Sequence, residues 1–215
     1  TGLPNDTKLA RVESPFEASR GRFMVPEMTT DPSEPAAHSD ELINMFPSLL
    51  DRHRGTLVIF SSKRQLQELV EALEPAYESR LLVQGQMSKA EILQEHRRRI
   101  DQGDSSIIFG LASFAEGVDL PGDYCSHVII AKLPFAAPDD PIDAAHAELL
   151  EAAGRNPFME LTVPVASLRL LQACGRLLRT EADEGVITLL DRRIITKRYG
   201  RAIMGALPRY QFELQ

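Results

Sequence analysis

"TLVIFSSKRQLQELVEALEP", residues 56–75, reads as a strand, a cap and a helix in immediate succession. The opening run 56–60 is short, apolar and β-branched, and it ends abruptly at Ser61 and Ser62. Either serine is able to cap the helix that follows, and Pro75 is expected just past the end of that helix. The same alternation recurs downstream. "RLLVQG" (80–85) precedes a helix opened by Ser88, and "SSIIFG" (105–110) runs into the irregular "LASFAEGVDLPG" (111–122). "HVIIAKL" (127–133) leads through the Pro-rich "PFAAPDDP" to a helix near 141–153, and "GVITLLD" (185–191) precedes a last helical stretch, "IITKRYGRAIMGAL". Upstream, "SDELINMFPSLLDRH" (39–53) has helical spacing with Ser39 as its expected N-cap. Residues 1–37 are rich in Pro, Asp, Ser and Thr and read as a lead-in segment outside the core, with one strand at "GRFMVP".

Strands that are near-continuous Val, Ile and Leu runs, alternating with helices, indicate an α/β fold with a parallel sheet covered on both faces. In such sheets ligands gather where the carboxyl ends of the strands meet their following loops. Three regions then matter: 61–64, 110–122 and 165–179.

The 215-residue chain is 43% hydrophobic and 26% charged, enough for one well-buried domain. Its net charge of −7 argues against holding nucleic acid by overall charge, so any polyanion site must be focal. Cys125 and Cys174 are the two cysteines, without a CxxC neighbour, which fits reduced thiols and gives no metal site. No apolar run approaches the roughly 20 residues that span a bilayer. The chain starts at Thr1 without methionine and reads as part of a longer polypeptide.

"LRLLQACGRLLR" (168–179) concentrates basic charge. At about 100° per residue, Arg169, Gln172, Arg176 and Arg179 share one helical face, opposite Leu170, Leu171, Cys174, Leu177 and Leu178. By itself this stripe is a solvated helix face. Two features favour a ligand instead: arginine suits bidentate recognition of phosphate, and a mid-helix Gly175, at a cost of about 1 kcal/mol, calls for a close approach. In "SFAEGVDLPG", Glu116 and Asp119 flank Gly117 after a buried strand. They form either an acidic surface turn or carboxylates that order the guanidinium groups around a phosphate. The run "HRRR" (96–99) reads as a solvated helix end, Asp191 and Arg193 as a structural ion pair, and Cys174 as packing.

Taken together and in order, "LVIFSSKRQL", "FGLASFAEGVDLPG" and "QACGRLLR" resemble motifs IV, V and VI of superfamily 2 helicases. The spelling "SFAEGVDLPGD", followed by "LPFAAPDDP" and "DRRIITKRYGRAIMGALP", is similar to the bacterial DinG group, which is related to the XPD helicases. The resemblance runs from Ser14 to Pro208 and is most specific over 109–200. It implies a second RecA-like motor domain over 38–215, with 1–37 leading in from an upstream domain. There is no GxxxxGK[ST] loop, no DEAH-like motif and no four-cysteine set here.

In that family ATP sits between two motor domains. The resemblance assigns Arg176 and Arg179 to the γ-phosphate, with Gln172, Gly175, Glu116, Gly117 and Asp119 coupling the nucleotide to the DNA path. Ser61 or Ser62 and Ser113 fall on positions that hold the phosphates of single-stranded DNA. Mg²⁺ and any iron–sulfur cluster would belong to the first motor domain of the same polypeptide, with no metal site in this chain. A bacterial cytoplasmic helicase moving 5′ to 3′ is expected, inactive in ATP hydrolysis as this piece alone. The competing reading is a stand-alone, non-catalytic RecA-like module that binds single strands or a protein partner.

Overall fold

The computed structural model describes residues 20–51, 53–135, 141–177 and 183–215. Among these, seven strands form one sheet: β1 (Gly21–Val25), β2 (Gly55–Phe60), β3 (Leu81–Val83), β4 (Ser106–Leu111), β5 (His127–Ile130), β6 (Gly185–Leu189) and β7 (Gln211–Leu214). Their spatial order is β3-β4-β2-β5-β6-β1-β7. Every pairing is parallel. The helices are α1 (Pro35–Leu50), α2 (Lys63–Tyr77), α3 (Lys89–Asp101), α4 (Ala112–Ala115), α5 (Pro141–Ala152), α6 (Val163–Cys174), α7 (Arg193–Thr196) and α8 (Arg198–Gly205). The expected α/β architecture, a parallel sheet covered on both faces, is present.

Strand pleating splits the core in two. Val58 and Phe60 of β2, with Ile107 and Phe109 of β4, bury against α1 and α2. Leu57, Ile59 and Ile108 point the other way, to Ile92 of α3, Leu170 and Cys174 of α6 and Ile203 of α8. Chain direction explains this division. Right-handed crossovers put connections that run one way along the sheet on one face and connections that run the other way on the opposite face. Thus α1 and α2 carry the chain toward the β3 edge, whereas α3, α6 and α8 carry it back. The connections after β2 and β5, which are neighbours, therefore leave in opposite directions and open a crevice between their ends.

Several local expectations are corrected. The lead-in is not outside the core: β1 lies between β6 and β7 with Phe23 and Val25 fully buried. Helix α1 starts at Pro35, not at Ser39, because Asp31 accepts from Ser33 N and Glu34 N in a turn that delivers the proline to the first helical turn. Ser39 is buried inside the helix and donates to Glu68 at 2.9 Å. Pro75 lies within α2, where Tyr77 is buried and secures the last turn. A proline there forfeits one backbone bond but does not stop the helix. The irregular 111–122 segment contains α4, and the last helical stretch breaks at Lys197 into α7 and α8. Strand β7 was not legible: "QFEL" is short, mostly exposed and pairs through its backbone with β1 alone. Residues 136–140 of the Pro-rich loop lie outside the described residues.

Ser88 caps α3 as expected, in a reciprocal capping box with Glu91. His96, the first residue of "HRRR", is fully buried in α3 and bridges Ser106 Oγ (2.9 Å) and the Tyr124 carbonyl (2.6 Å). His38 bridges the Leu190 carbonyl (2.8 Å) and Gln65 (2.9 Å). Burial holds both imidazoles below the ordinary histidine range, against the opposing pull of their carbonyl partners. Glu41 is held at about 2: burial would raise it, but hydrogen bonds from the backbone and hydroxyls of Thr29 and Thr30 outweigh that.

The signs are the same for all three groups. Each binds protons more readily unfolded than folded, so its contribution is complete above its unfolded value and is lost as pH falls through its lowered folded value. The urea midpoint should be flat between about pH 7 and 8 and decline below 6.5 as His38 and His96 protonate. It should fall again from 4.5 toward 2 as Glu41 does. Urea titrations across pH check this, and His38→Gln should shrink the first decline.

Candidate functional site

A cavity of about 320 Å³ opens at the crevice. Its walls are the ends of β2 (Ile59, Phe60, Ser61), β4 (Ala112, Ser113, Glu116) and β5 (Ile130, Lys132, Pro134, Phe135), together with Arg169, Gln172, Ala173 and Arg176 from α6 and the turn after it. Six of the residues singled out by sequence, from three regions far apart in the chain, thus meet at one place: Ser61, Ser113, Glu116, Arg169, Gln172 and Arg176.

The two serines after β2 have different positions. Ser62 Oγ accepts from Gln65 N at 3.4 Å and caps α2, whereas Ser61 is exposed and faces the cavity. Ser113 sits in the first turn of α4, which folds back immediately over the end of β4. That reversal needs Gly110, since a Cβ there would come within 2.9 Å of the Phe114 ring. Phe114 is buried and anchors α4 in the core. Beyond it, the Glu116 carbonyl accepts from Lys89 Nζ, and Gly117 takes the left-handed φ of +68° that reverses the loop. Val118 and Leu120 then return to the core. Asp119 is exposed, does not line the cavity, and its carbonyl accepts from Arg97 at 2.8 Å.

Of the expected stripe, Arg169 and Gln172 on α6 and Arg176 in the turn beyond its end all line the cavity. Arg179 lies outside the described residues. Gly175 departs from expectation. Helix α6 ends at Cys174, so the glycine is its C-cap rather than mid-helix, and a Cβ would meet backbone oxygens only at ordinary contact distances, 3.4 and 3.5 Å. No close approach explains it. Arg176 follows on a tight turn (Arg176 N to Ala173 O, 3.1 Å), half-buried, and donates to the Val118 carbonyl at 2.8 Å. One guanidinium thereby ties the end of α6 to the 116–119 loop. Cys174 is fully buried and burial raises its thiol well above the usual range, consistent with packing.

Lys132 was missed by sequence reasoning. It is half-buried in the cavity wall, and burial, then the proximity of Arg193, hold its ammonium below the usual lysine range. The available signal was its place as the first charge after the apolar strand β5. With Lys132, Arg169 and Arg176 against Glu116, the cavity lining is cationic in a chain of net charge −7. Two hydroxyls and a glutamine amide complete a surface suited to phosphate oxygens. Among the described residues no group of three or more His, Cys, Asp and Glu side chains is placed to hold a metal, and no helix is long and apolar enough to cross a membrane.

A fully parallel sheet with a cationic cleft at its switch point, lined by Arg169 of α6 and Arg176 of the turn after it, is the architecture of a RecA-like domain. The chain belongs to the helicase C-terminal domain family, whose model matches residues 47–210, and its relatives are of the DinG type. It is 40% identical over 211 residues to the ATP-dependent DNA helicase DinG of Photobacterium profundum, covering 96% of this chain and 30% of that protein. It is 34% identical to the DinG helicase of Escherichia coli K12, over 96% of this chain and 29% of the relative. The chain therefore spans less than a third of the length of these relatives. In fold it is similar to Xpd4 of S. tokodaii, with a TM-score of 0.71 at 17% identity, over 100% of this chain and 42% of that one.

Asp191 and Arg193 support the cleft from below as the expected ion pair. The fully buried Asp191 carboxylate accepts from Arg193 Nε (2.9 Å) and Nη2 (2.6 Å) and from Leu133 N (2.8 Å). Burial opposes the Arg193 charge, but this bidentate pairing overcomes it and raises its pKa. The pair joins the end of β6 to the segment carrying Lys132 and Phe135. Asp191→Ala leaves Arg193 and Leu133 N without these bonds and should cost about 3 kcal/mol, read from urea unfolding.

Proposed function

We propose that this chain is the second half of an ATP-driven DNA motor, in which Arg176, together with Arg179, reaches the γ-phosphate of ATP bound on the first motor domain of the same polypeptide. The convergence of Ser61, Ser113, Glu116, Gln172 and Arg176 on one cationic cavity carries this reading. Phosphoryl transfer spreads negative charge over the γ-oxygens, and a guanidinium that arrives only on domain closure makes hydrolysis depend on closure. Arg176 suits that role because its Val118 contact holds it where the 116–119 loop meets α6. A ligand on either element shifts both, which is how the DNA path and the nucleotide become coupled through Gln172, Glu116, Gly117 and Asp119.

Ser61 and Ser113 hold phosphates of a single strand, contacts without a base code that suit a translocating enzyme. Movement runs 5′ to 3′ by likeness to the DinG group. The first motor domain supplies the phosphate loop and the Mg²⁺ ligands, and any iron–sulfur cluster, none of which has its motif in this chain. The buried free thiols Cys125 and Cys174 accord with a reducing bacterial cytoplasm.

In the longer protein, Arg176→Ala should lower DNA-stimulated kcat by about 10³-fold while ATP binding survives, Arg179→Ala should act similarly, and Arg169→Ala much less. Steady-state ATPase assays with nucleotide binding measured separately check this, and equal mild effects at all three sites would reduce the stripe to a solvated face. The chain alone should bind single-stranded DNA weakly and without sequence preference. With two to four phosphates contacted, and roughly −0.7 in log K per log salt for each, the slope should stay shallower than about −3. A salt titration against a labelled homopolymer measures it.

A further inference from the structure

Beside the cavity lies a group of three rings that the motif resemblance does not use. Phe135, on the cavity wall, packs 5.7 Å from Phe158 and 5.5 Å from Tyr199, and Phe158 lies 5.2 Å from Tyr199. The three come from different places: the loop after β5, the segment before α6, and α8. Each fixes the others. Arg193 adds a cation 5.6 Å from the Phe135 ring centre, and the same guanidinium is locked to Asp191. The cluster is therefore stiff, yet it is not sealed. Phe158 is 40% exposed. Phe158 also opens the 158–162 segment, which takes the wide π-helical turn, an uncommon conformation that marks functional positions in many helices.

We propose that Phe135, Phe158 and Tyr199 form a stacking platform for the bases of a single DNA strand whose phosphates cross Ser61, Ser113 and Lys132. This rests on the reading of the cavity as a phosphate track and goes beyond it by assigning a place for the bases. The chemistry is complementary: a rigid, partly exposed aromatic surface adjoins a cationic, hydroxyl-lined wall, the pairing that holds single strands without reading sequence. Every base has a π-face, so a platform of this kind grips a strand at any step of translocation. Phe135 belongs to both surfaces and joins them.

The test compares two labelled oligonucleotides of equal length, oligo-dT and an abasic strand with the same phosphates, in fluorescence anisotropy titrations with this chain. Wild type should bind oligo-dT more tightly, by roughly 5- to 150-fold for each stacked base. Phe158→Ala should lower oligo-dT affinity to the abasic level while leaving abasic binding unchanged, and Phe158→Tyr should restore the preference. Far-UV circular dichroism of the variants controls for folding. The chain has no tryptophan, so Phe158→Trp creates a single reporter. Its fluorescence should be quenched by oligo-dT and not by the abasic strand. Ser113→Asp should weaken both strands alike, which reports on the phosphate track separately. Equal binding of the two strands by wild type would overturn the platform and leave the phosphate track standing. Absence of binding by either strand would overturn both. Quenching of the Phe158→Trp reporter by ATP but not by oligo-dT would overturn the platform in favour of an adenine site.

Discussion

The direction of the strands is the constraint on which everything else depends. With all seven strands parallel, every carboxyl end lies on one edge of the sheet, and every returning connection must cross a face. Right-handed crossovers then decide which face, and the neighbours β2 and β5 are the pair whose connections part. The cavity is the geometric result. Its lining comes from loops that begin where β2, β4 and β5 stop, and from a helix that lies on the face taken by the connection from β5 to β6. Moving any one of these strands by one position would redistribute its side chains between the two core layers and take its loop away from the others.

Charge follows the same logic. A chain of net charge −7 has no general attraction for polyanions, and several of its cations pair with nearby acids, as in Arg64 with Glu68 and in Arg98 and Arg99 with Glu95. Such pairs are screened by water and contribute little to stability. The cleft differs because Lys132 and Arg176 are half-buried, where low dielectric strengthens any interaction with a phosphate. Lys132 has its ammonium disfavoured by burial and by Arg193, so an incoming anion relieves a local strain in the charge distribution.

How much was legible varied with the kind of signal. Strands β2, β4, β5 and β6 were readable because burial on both faces imposes unbroken apolar runs, and α3 because its cap is a local hydrogen-bonded motif, Ser88 with Glu91. Ser39 misled because a serine at a helical start has the same composition whether it caps a backbone or, as here, reaches across to Glu68 of another helix. Gly175 misled for a related reason: its position relative to the helix end, which tertiary packing sets, determines whether it marks a close approach or a cap. Strand β7 and the burial of β1 were hidden because an edge strand and its neighbour are defined by pairing between residues about 190 apart, such as Arg22 with Gln211.

By itself the sequence determined the alternation of strands and helices, the parallel sheet, the three regions that line the cavity, and, through motif resemblance, the helicase class. These are properties of local period and of ordered short motifs, each contained within a few turns of chain. Tertiary structure alone decided that Ser61 rather than Ser62 faces the cavity, that Arg176 is held by the Val118 carbonyl, and that Lys132 and Phe135 join the site. Those outcomes depend on which strand ends are adjacent and on how deeply each side chain is buried. Adjacency across the sheet is set by the crossovers, not by distance along the chain, and so no local pattern records it.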